Sequence, residues 1–349
     1  MINIKDKLKV SNILIKRTND VDVEYVPVEV FEADIKDINK RINEIDGADI
    51  DADNYVSKAE FNNEIDEIKN RIEKIPEKKV DATGINFANS TFEELSDAFD
   101  FSNVTNFTKI FSYCKNLKKV NANLTGSMSK SHSKQGMFLY CSALETGASF
   151  YAMRVTDMSN MYEGCSEMTS CPAYEIFECV SLGYMFKSCN KMETVGNFIA
   201  VGGDAPFLKS VSGMFYACGS LIKAPEIPTK NVEDFSQMFN SCLSLTDIPE
   251  YDASSATNVQ NIFLLGGQNV TNFGGFKNLK VSWGDDAGLA KCPNLTYESI
   301  MNVINGLYDF RGNGDLSTTR TIKLHSNHIA MLSDDDKAIA TAKGWIIST

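Results

Sequence analysis

The sequence predicts an α/β chain: a right-handed solenoid of about 24-residue repeats over residues 85–292, with an N-terminal coiled-coil stalk and a C-terminal α/β cap. Three observations predict it. A short apolar–aromatic–x–x–Cys unit recurs seven times. Apolar residues around each unit fall at helical spacing. Two runs of isoleucine near the start alternate spacings of three and four.

The units are Ile110-Phe111-Ser112-Tyr113-Cys114, Met137-Phe138-Leu139-Tyr140-Cys141, Met161-Tyr162-Glu163-Gly164-Cys165, Met185-Phe186-Lys187-Ser188-Cys189, Met214-Phe215-Tyr216-Ala217-Cys218, Met238-Phe239-Asn240-Ser241-Cys242 and Ile262-Phe263-Leu264-Leu265-Gly266. Their aromatic positions lie 27, 24, 24, 29, 24 and 24 residues apart. The base period falls within the range of leucine-rich-repeat-type solenoids. Phe107, Ile110, Phe111 and Cys114 sit at i, i+3, i+4 and i+7, as do Met158, Met161, Tyr162 and Cys165, and Phe235, Met238, Phe239 and Cys242. That spacing puts each set on one helical face. Short extended pieces follow each Cys: Leu117–Val120, Leu221–Ala224 before Pro225, and Leu245–Ile248 before Pro249, where proline stops the strand. One repeat therefore reads as helix, turn and strand. Such a unit buries its apolar face only against its neighbours.

Cys114, Cys141, Cys165, Cys189, Cys218 and Cys242 share one repeat position and are expected to be buried free thiols of the repeat core. Stacked side chains point the same way, which suits packing better than disulfide torsions. Gly266 in the seventh copy fits a limit on size rather than a chemical role. Cys165, Cys171 and Cys179 form no CxxC pair that would suggest zinc.

The repeated V-T-x-M-x-x-M-F-x-x-C-x-x-L-x-x-I-P pattern, well matched by Val155–Cys165, resembles the BspA-like leucine-rich repeat of surface proteins of gut Bacteroidales and of their phages. Leu295–Leu307 and Leu332–Trp345 resemble the end segment of such proteins, and a repeat array needs a lid at its open end. The cap, residues 293–349, is expected to hold a helix at 296–309, a strand at 320–325, a helix at 333–343 and a last strand at 345–348. Arg311–Asp315 contains Asn-Gly and reads as a hairpin turn.

Residues 28–80 read as the stalk. Val28, Phe31, Ile35, Ile38, Ile42 and Ile45 follow heptad spacing, and so do Phe61, Ile65, Ile68, Ile72 and Ile75. Isoleucine at both a and d favours three strands, so Ile35, Ile38, Ile42, Ile45, Ile65, Ile68, Ile72 and Ile75 are the candidate trimerisation residues of a homotrimer. A helical hairpin within one chain is the alternative. Between the runs, Asp49, Asp51, Asp53 and Glu60 fall at positions 1, 3, 5 and 12 of a calcium loop, with Asn54 where glycine is usual. The rival is a polar linker leading into a capping box, Ser57-x-x-Glu60. No cofactor is expected apart from that calcium alternative. Residues 1–27 read as an attachment arm, and residues 81–292 as the repeats.

Composition narrows the function. Lys and Arg number 34 against 46 Asp and Glu, a net charge of −12, which argues against nucleic acid as partner. No run approaches the ~20 apolar residues that span a bilayer, so no membrane insertion is expected. The start, Met1–Lys9, carries positive charge without an apolar segment behind it and does not read as a secretion signal. The three histidines offer no metal set: His325 and His328, with Asp334, Asp335 and Asp336 following, read as cap loop residues, and His132 as part of a polar insertion loop. No nucleophile or phosphate-binding pattern occurs, so the chain reads as non-enzymatic. A polysaccharide-cleaving enzyme would need carboxylates converging in a groove. The two longer spacings place extra residues near 125–135 and 199–207, candidate contact loops or merely tolerated insertions.

The resemblance implies a virion protein, a capsid (head) or tail fibre of a crAss-like gut phage. Its N-terminus would join capsid or tail proteins, and its trimeric heads would bind a bacterial surface glycan or protein. A bacterial cell-surface adhesin with the same repeats is the alternative.

Overall fold

The computed structural model describes residues 79–349, except 128, 129, 131, 204 and 285–287. The N-terminal arm, the isoleucine heptads Ile35–Ile45 and Ile65–Ile75, and the acidic loop with Asp49, Asp51, Asp53 and Glu60 lie outside the described residues.

The helix–turn–strand solenoid expected from the spacing is corrected by the structure. The repeats contain no α-helix among the described residues. They are chains of tight turns joined by small two-stranded parallel sheets, such as Glu94–Leu95 with Lys119–Val120 and Asp247–Ile248 with Asn272–Phe273. Among the described residues the α-helices are α1 (Tyr297–Gly306), α2 (Ser326–Met331) and α3 (Asp334–Ala342), all near the C-terminus.

Backbone geometry explains why helical spacing misled. In the Phe107–Cys114 segment, Lys109 and Tyr113 hold φ of 56° and 61°. A residue in the left-handed region at every fourth position cannot belong to an α-helix. Each instead sits third in a four-residue turn: Ile110 N–H donates to Phe107 O (3.2 Å) and Cys114 N–H to Phe111 O (3.3 Å). Positive φ at that place marks a type II turn. Two such turns in series also bring Phe107, Ile110, Phe111 and Cys114 to one side. The i, i+3, i+4, i+7 pattern is thus shared by a helix and by this turn train.

The remaining N–H groups reach the next repeat. Phe107, Lys109, Phe111 and Tyr113 donate to the carbonyls of Ser133, Gln135, Met137 and Leu139 at 2.7–3.0 Å. Met158, Asn160, Tyr162 and Gly164 do the same to Ser181, Gly183, Met185 and Lys187. Alternate donors therefore close turns and tie repeats together, which satisfies the buried backbone. A non-glycine left-handed residue costs roughly 1–2 kcal/mol. Each repeat offsets this with ladder hydrogen bonds and ring stacking.

The stacking forms one continuous column. Phe111, Phe138, Tyr162, Phe186, Phe215, Phe239 and Phe263 follow one another at ring-centroid distances of 5.4–6.0 Å with interplanar angles of 3–14°. Trp283 closes it at 6.4 Å from Phe263. Phe87 opens it, 5.2 Å from Phe111, and so marks a further repeat, 24 residues upstream, that the Cys-based motif misses because Ser90 stands in the Cys position. Each such ring pair adds ~1 kcal/mol beyond its buried area.

In the cap, Thr296 caps α1 by accepting from Ser299 N–H, and Ser333 and Asp336 form a capping box on α3. Arg320–Lys323 pairs in parallel with Trp345–Ser348. The expected hairpin at Arg311–Asp315 is corrected. Asp309 O accepts from Asn313 N–H and Arg311 O from Gly314 N–H, making a local turn. The strand that follows, Arg320–Lys323, finds its partner beyond α2 and α3. His325 is not a plain loop residue: its Nδ1 caps α2 by accepting from Asn327 N–H.

Candidate binding surface

The structure puts the chemistry-bearing thiols inside. All nine cysteines are free and buried. In six repeats the thiol donates to the carbonyl of the preceding repeat's stacked aromatic: Cys114 to Phe87, Cys141 to Phe111, Cys165 to Phe138, Cys189 to Tyr162, Cys218 to Phe186 and Cys242 to Phe215, at 3.0–3.2 Å. Burial pushes the thiols of Cys171, Cys179 and Cys242 up to about 12, far from the reactive thiolate range. At Gly266 a Cβ would lie 3.1 Å from Phe239 O and from Cys242 N, so a larger side chain there must displace its neighbours.

Outside, one face of the array carries tyrosines. Tyr113 and Tyr140 are 43% and 40% exposed, and their rings stack at 5.3 Å. Both hold positive φ, which turns their side chains out of the turn train onto the surface. Tyr140 then lies on Gly164 (φ 77°), where any Cβ would strike its ring. Along the same face Glu163 joins the next members. Its Oε1 accepts from Tyr140 OH at 3.5 Å and from Lys187 Nζ at 3.0 Å, and its Oε2 accepts from Asn160 Nδ2 at 2.6 Å. Lys187 Nζ lies 5.4 Å from the Tyr184 ring centroid and 6.0 Å from that of Tyr216. The hydrogen bond to Glu163 holds the Lys187 ammonium above the usual lysine value. Rings, hydroxyls and an ammonium, tied together by the buried Glu163 carboxylate, thus form one strip across five consecutive repeats, able to stack on and hydrogen-bond a polar partner. The sequence carried a signal for its start: Tyr113 and Tyr140 both directly precede the motif Cys.

The two insertions behave differently. Near 199–207, Phe207 is exposed and meets exposed Phe177 edge-on at 6.0 Å. Near 125–135, His132 and Lys134 are buried, which corrects the polar-loop reading of His132. His132–Ser133 pairs in parallel with the Val155–Asp157 strand. Lys134 occupies the place, four residues before the stacked ring, that Phe107, Met158, Leu182, Val211, Phe235 and Val259 fill in other repeats. Its Nζ donates to Leu124 O at 2.5 Å and lies 3.5 Å from the Phe107 ring centroid and 4.6 Å from that of Phe150. Burial drives its amine well below the usual lysine value. His328 is fully buried, and neither ring nitrogen has a partner among the described residues. Among the described residues no three His, Cys, Asp or Glu side chains converge as a metal set, and no helix is long and apolar enough to cross a membrane.

A family model described as "Mycoplasma protein of unknown function, DUF285" matches the chain four times, at residues 56–174, 81–198, 133–223 and 180–282. Together the matches span 56–282, more than half of the 349 residues. They overlap because each covers several consecutive repeats. A search of curated proteins returns no match.

Proposed function

We propose, for a chain that belongs to this DUF285 family, a structural and adhesive role without catalysis: a virion fibre that presents its repeats to a bacterial surface. In this reading the isoleucine heptads of residues 28–80 zip three chains into a stalk, and residues 1–27 attach the stalk to capsid or tail. The tyrosine strip from Tyr113 to Tyr216 contacts a surface glycan or protein. The observation that carries the reading is the division of chemistry. Thiols, repeat methionines and stacked rings are sealed inside, while tyrosine rings and the Lys187 ammonium lie on one outer face. The BspA-like pattern of the repeats adds the host-surface association. Three heads on one stalk would convert weak single contacts into useful avidity.

A bacterial cell-surface adhesin is the second reading, favoured by a family description that names a cellular bacterium. Fractionation separates the two: the chain sediments with purified particles in the first and with the cell envelope in the second. Native mass tests the stalk, since a trimer weighs three times the 38.6 kDa chain. Adhesion is tested by binding of the full chain to host cells and to their extracted surface polysaccharide. Replacing both Tyr113 and Tyr140 by Ala is expected to reduce binding at least tenfold. Unchanged binding removes the strip from the reading.

A further inference from the structure

The first junction of the repeat ladder is incomplete. The junctions from Phe107, Lys134, Met158, Leu182 and Val211 carry four backbone rungs at alternate residues, and the one from Phe235 carries the first three. Lys134, Gly136, Phe138 and Tyr140, for example, donate to the carbonyls of Asp157, Ser159, Met161 and Glu163. Leu182, Tyr184, Phe186 and Ser188 donate in the same register to Ser210, Ser212, Met214 and Tyr216. At the first junction only the last two rungs form, Phe87 N–H to Ile110 O (3.0 Å) and Asn89 N–H to Ser112 O (2.9 Å). By the same register the first two belong to the carbonyls of Asn106 and Thr108. No N–H group among the described residues reaches either.

The cause lies in chain length. Asp81 pairs with Asp100, and the Phe87 ring packs on Phe111. Between these fixed points the first repeat advances 6 residues (81 to 87) and the second 11 (100 to 111). The shorter segment turns its donors inward: Thr83 N–H to the Asp81 carboxylate (2.9 Å) and Ile85 N–H to Ala82 O (3.1 Å). A cleft of about 470 Å³ is left, lined by Thr83, Asn86, Thr105, Asn106, Thr108 and Lys109 among others. A Cβ built on Gly84 at its rim would meet nothing within 4 Å.

We propose that this cleft docks an extended polypeptide segment of a partner chain, which supplies the two missing rungs. The two carbonyls lie two residues apart in the register whose counterparts elsewhere accept backbone N–H groups. An extended strand presents its N–H groups to one side at that same interval. An open ladder edge is a template for strand addition, with affinity coming from main-chain hydrogen bonds. The lining is mixed, with Thr83, Asn86 and Asn106 beside Ala82, Ile85 and Ile110, so the two carbonyls rather than a side-chain pocket are the specific feature of the cleft. Lys109 at the rim favours an acidic residue in the segment. The proposal does not depend on the adhesive reading above.

The test uses the full chain and a fluorescein-labelled peptide, Val-Glu-Asp-Phe-Ser-Gln-Met, copying residues 232–238. In place, that segment's Phe235 and Gln237 N–H groups fill the equivalent rungs to Asn258 and Gln260. Anisotropy should report binding, and the carbonyl carbon shifts of Asn106 and Thr108 should move on titration. Methylating the two peptide nitrogens should weaken binding at least tenfold, and Thr105→Trp, at an exposed position, should do the same. Absence of binding, or binding indifferent to N-methylation, overturns the proposal. So do Asn106 and Thr108 carbonyl shifts that already show hydrogen bonding in the free chain, since the chain then fills its own cleft.

Discussion

Replacing Lys134 by Met asks what a fully buried amine does to the stability of the array. Met158 stands in the same position of the next repeat, so the substituted side chain has a precedent there. The amine has one carbonyl partner, Leu124 O, and two neighbouring rings. The rings supply ~1–2 kcal/mol to a desolvated ammonium. Burying an ion without a counter-charge costs more, several kcal/mol even after relaxation. Burial therefore favours the neutral amine of Lys134 in the folded protein, in line with the downward direction of its shift.

The unfolded chain binds a proton that the folded chain refuses. Stability is then highest above the ordinary lysine value of 10.5 and falls as pH drops toward the lowered folded value, by up to about 1.36 kcal/mol per pH unit. At pH 7 the loss reaches at most about 4.8 kcal/mol, 3.5 pH units at that slope. Methionine removes this loss but leaves Leu124 O unpaired, at a cost of about 1–3 kcal/mol. The stability of Lys134→Met relative to the wild type should thus rise as pH falls from 10 to 7, by up to about 1.36 kcal/mol per pH unit, with any advantage gone or reversed by pH 10. The assay is urea unfolding of both proteins between pH 7 and pH 10, above the titration of His132. A stability difference that stays constant across that range refutes the reasoning and shows that the rings keep the ammonium charged.

Three further outcomes are expected. Gly164→Ala forces a Cβ into the Tyr140 ring at a φ of 77°. It should destabilise by about 2 kcal/mol or more and change the near-ultraviolet tyrosine dichroism of the Tyr113–Tyr140 pair, read by thermal melts and circular dichroism. Tyr162→Phe removes the hydroxyl that accepts from Ala148 N–H (2.9 Å) and meets Tyr174 OH (2.7 Å). It should cost about 1–3 kcal/mol, with a double-mutant cycle against Tyr174→Phe giving a non-zero coupling energy. A thiol-specific chromogenic reagent should find no fast-reacting cysteine in the folded protein and all nine after denaturation; rapid native reaction at any repeat Cys would contradict its burial.

The repeat period, the aromatic positions and the shared Cys position were legible in the sequence because identical surroundings select the same residue every 24 positions. The conformation of each repeat was not. Apolar residues at i, i+3, i+4 and i+7 satisfy a helical face and a train of type II turns equally. Only φ at Lys109, Tyr113 and their counterparts separates the two, and lysine, tyrosine, serine and glutamine at those sites give no warning of a left-handed backbone. Where glycine occupies the site, at Gly136, Gly164 and Gly213, the signal existed but was scattered through an irregular pattern.

The displayed face was legible only in part. Tyr113 and Tyr140 stand beside the motif Cys, yet whether a tyrosine points outward or joins the column depends on the turn position it occupies: Tyr162, two positions before Gly164, the counterpart of Tyr140, is fully buried. Lys134 shows the opposite failure. Its charge placed it on a surface loop, whereas packing seats it in the core, because the parallel strand at His132–Ser133 fixes the register of the residues that follow. Sequence by itself determined which residues recur and that they share a core. Tertiary structure alone decided the backbone path between them and the open first rungs at Asn106 and Thr108, because hydrogen bonds between repeats 24 residues apart depend on how far each chain segment reaches before its partner begins.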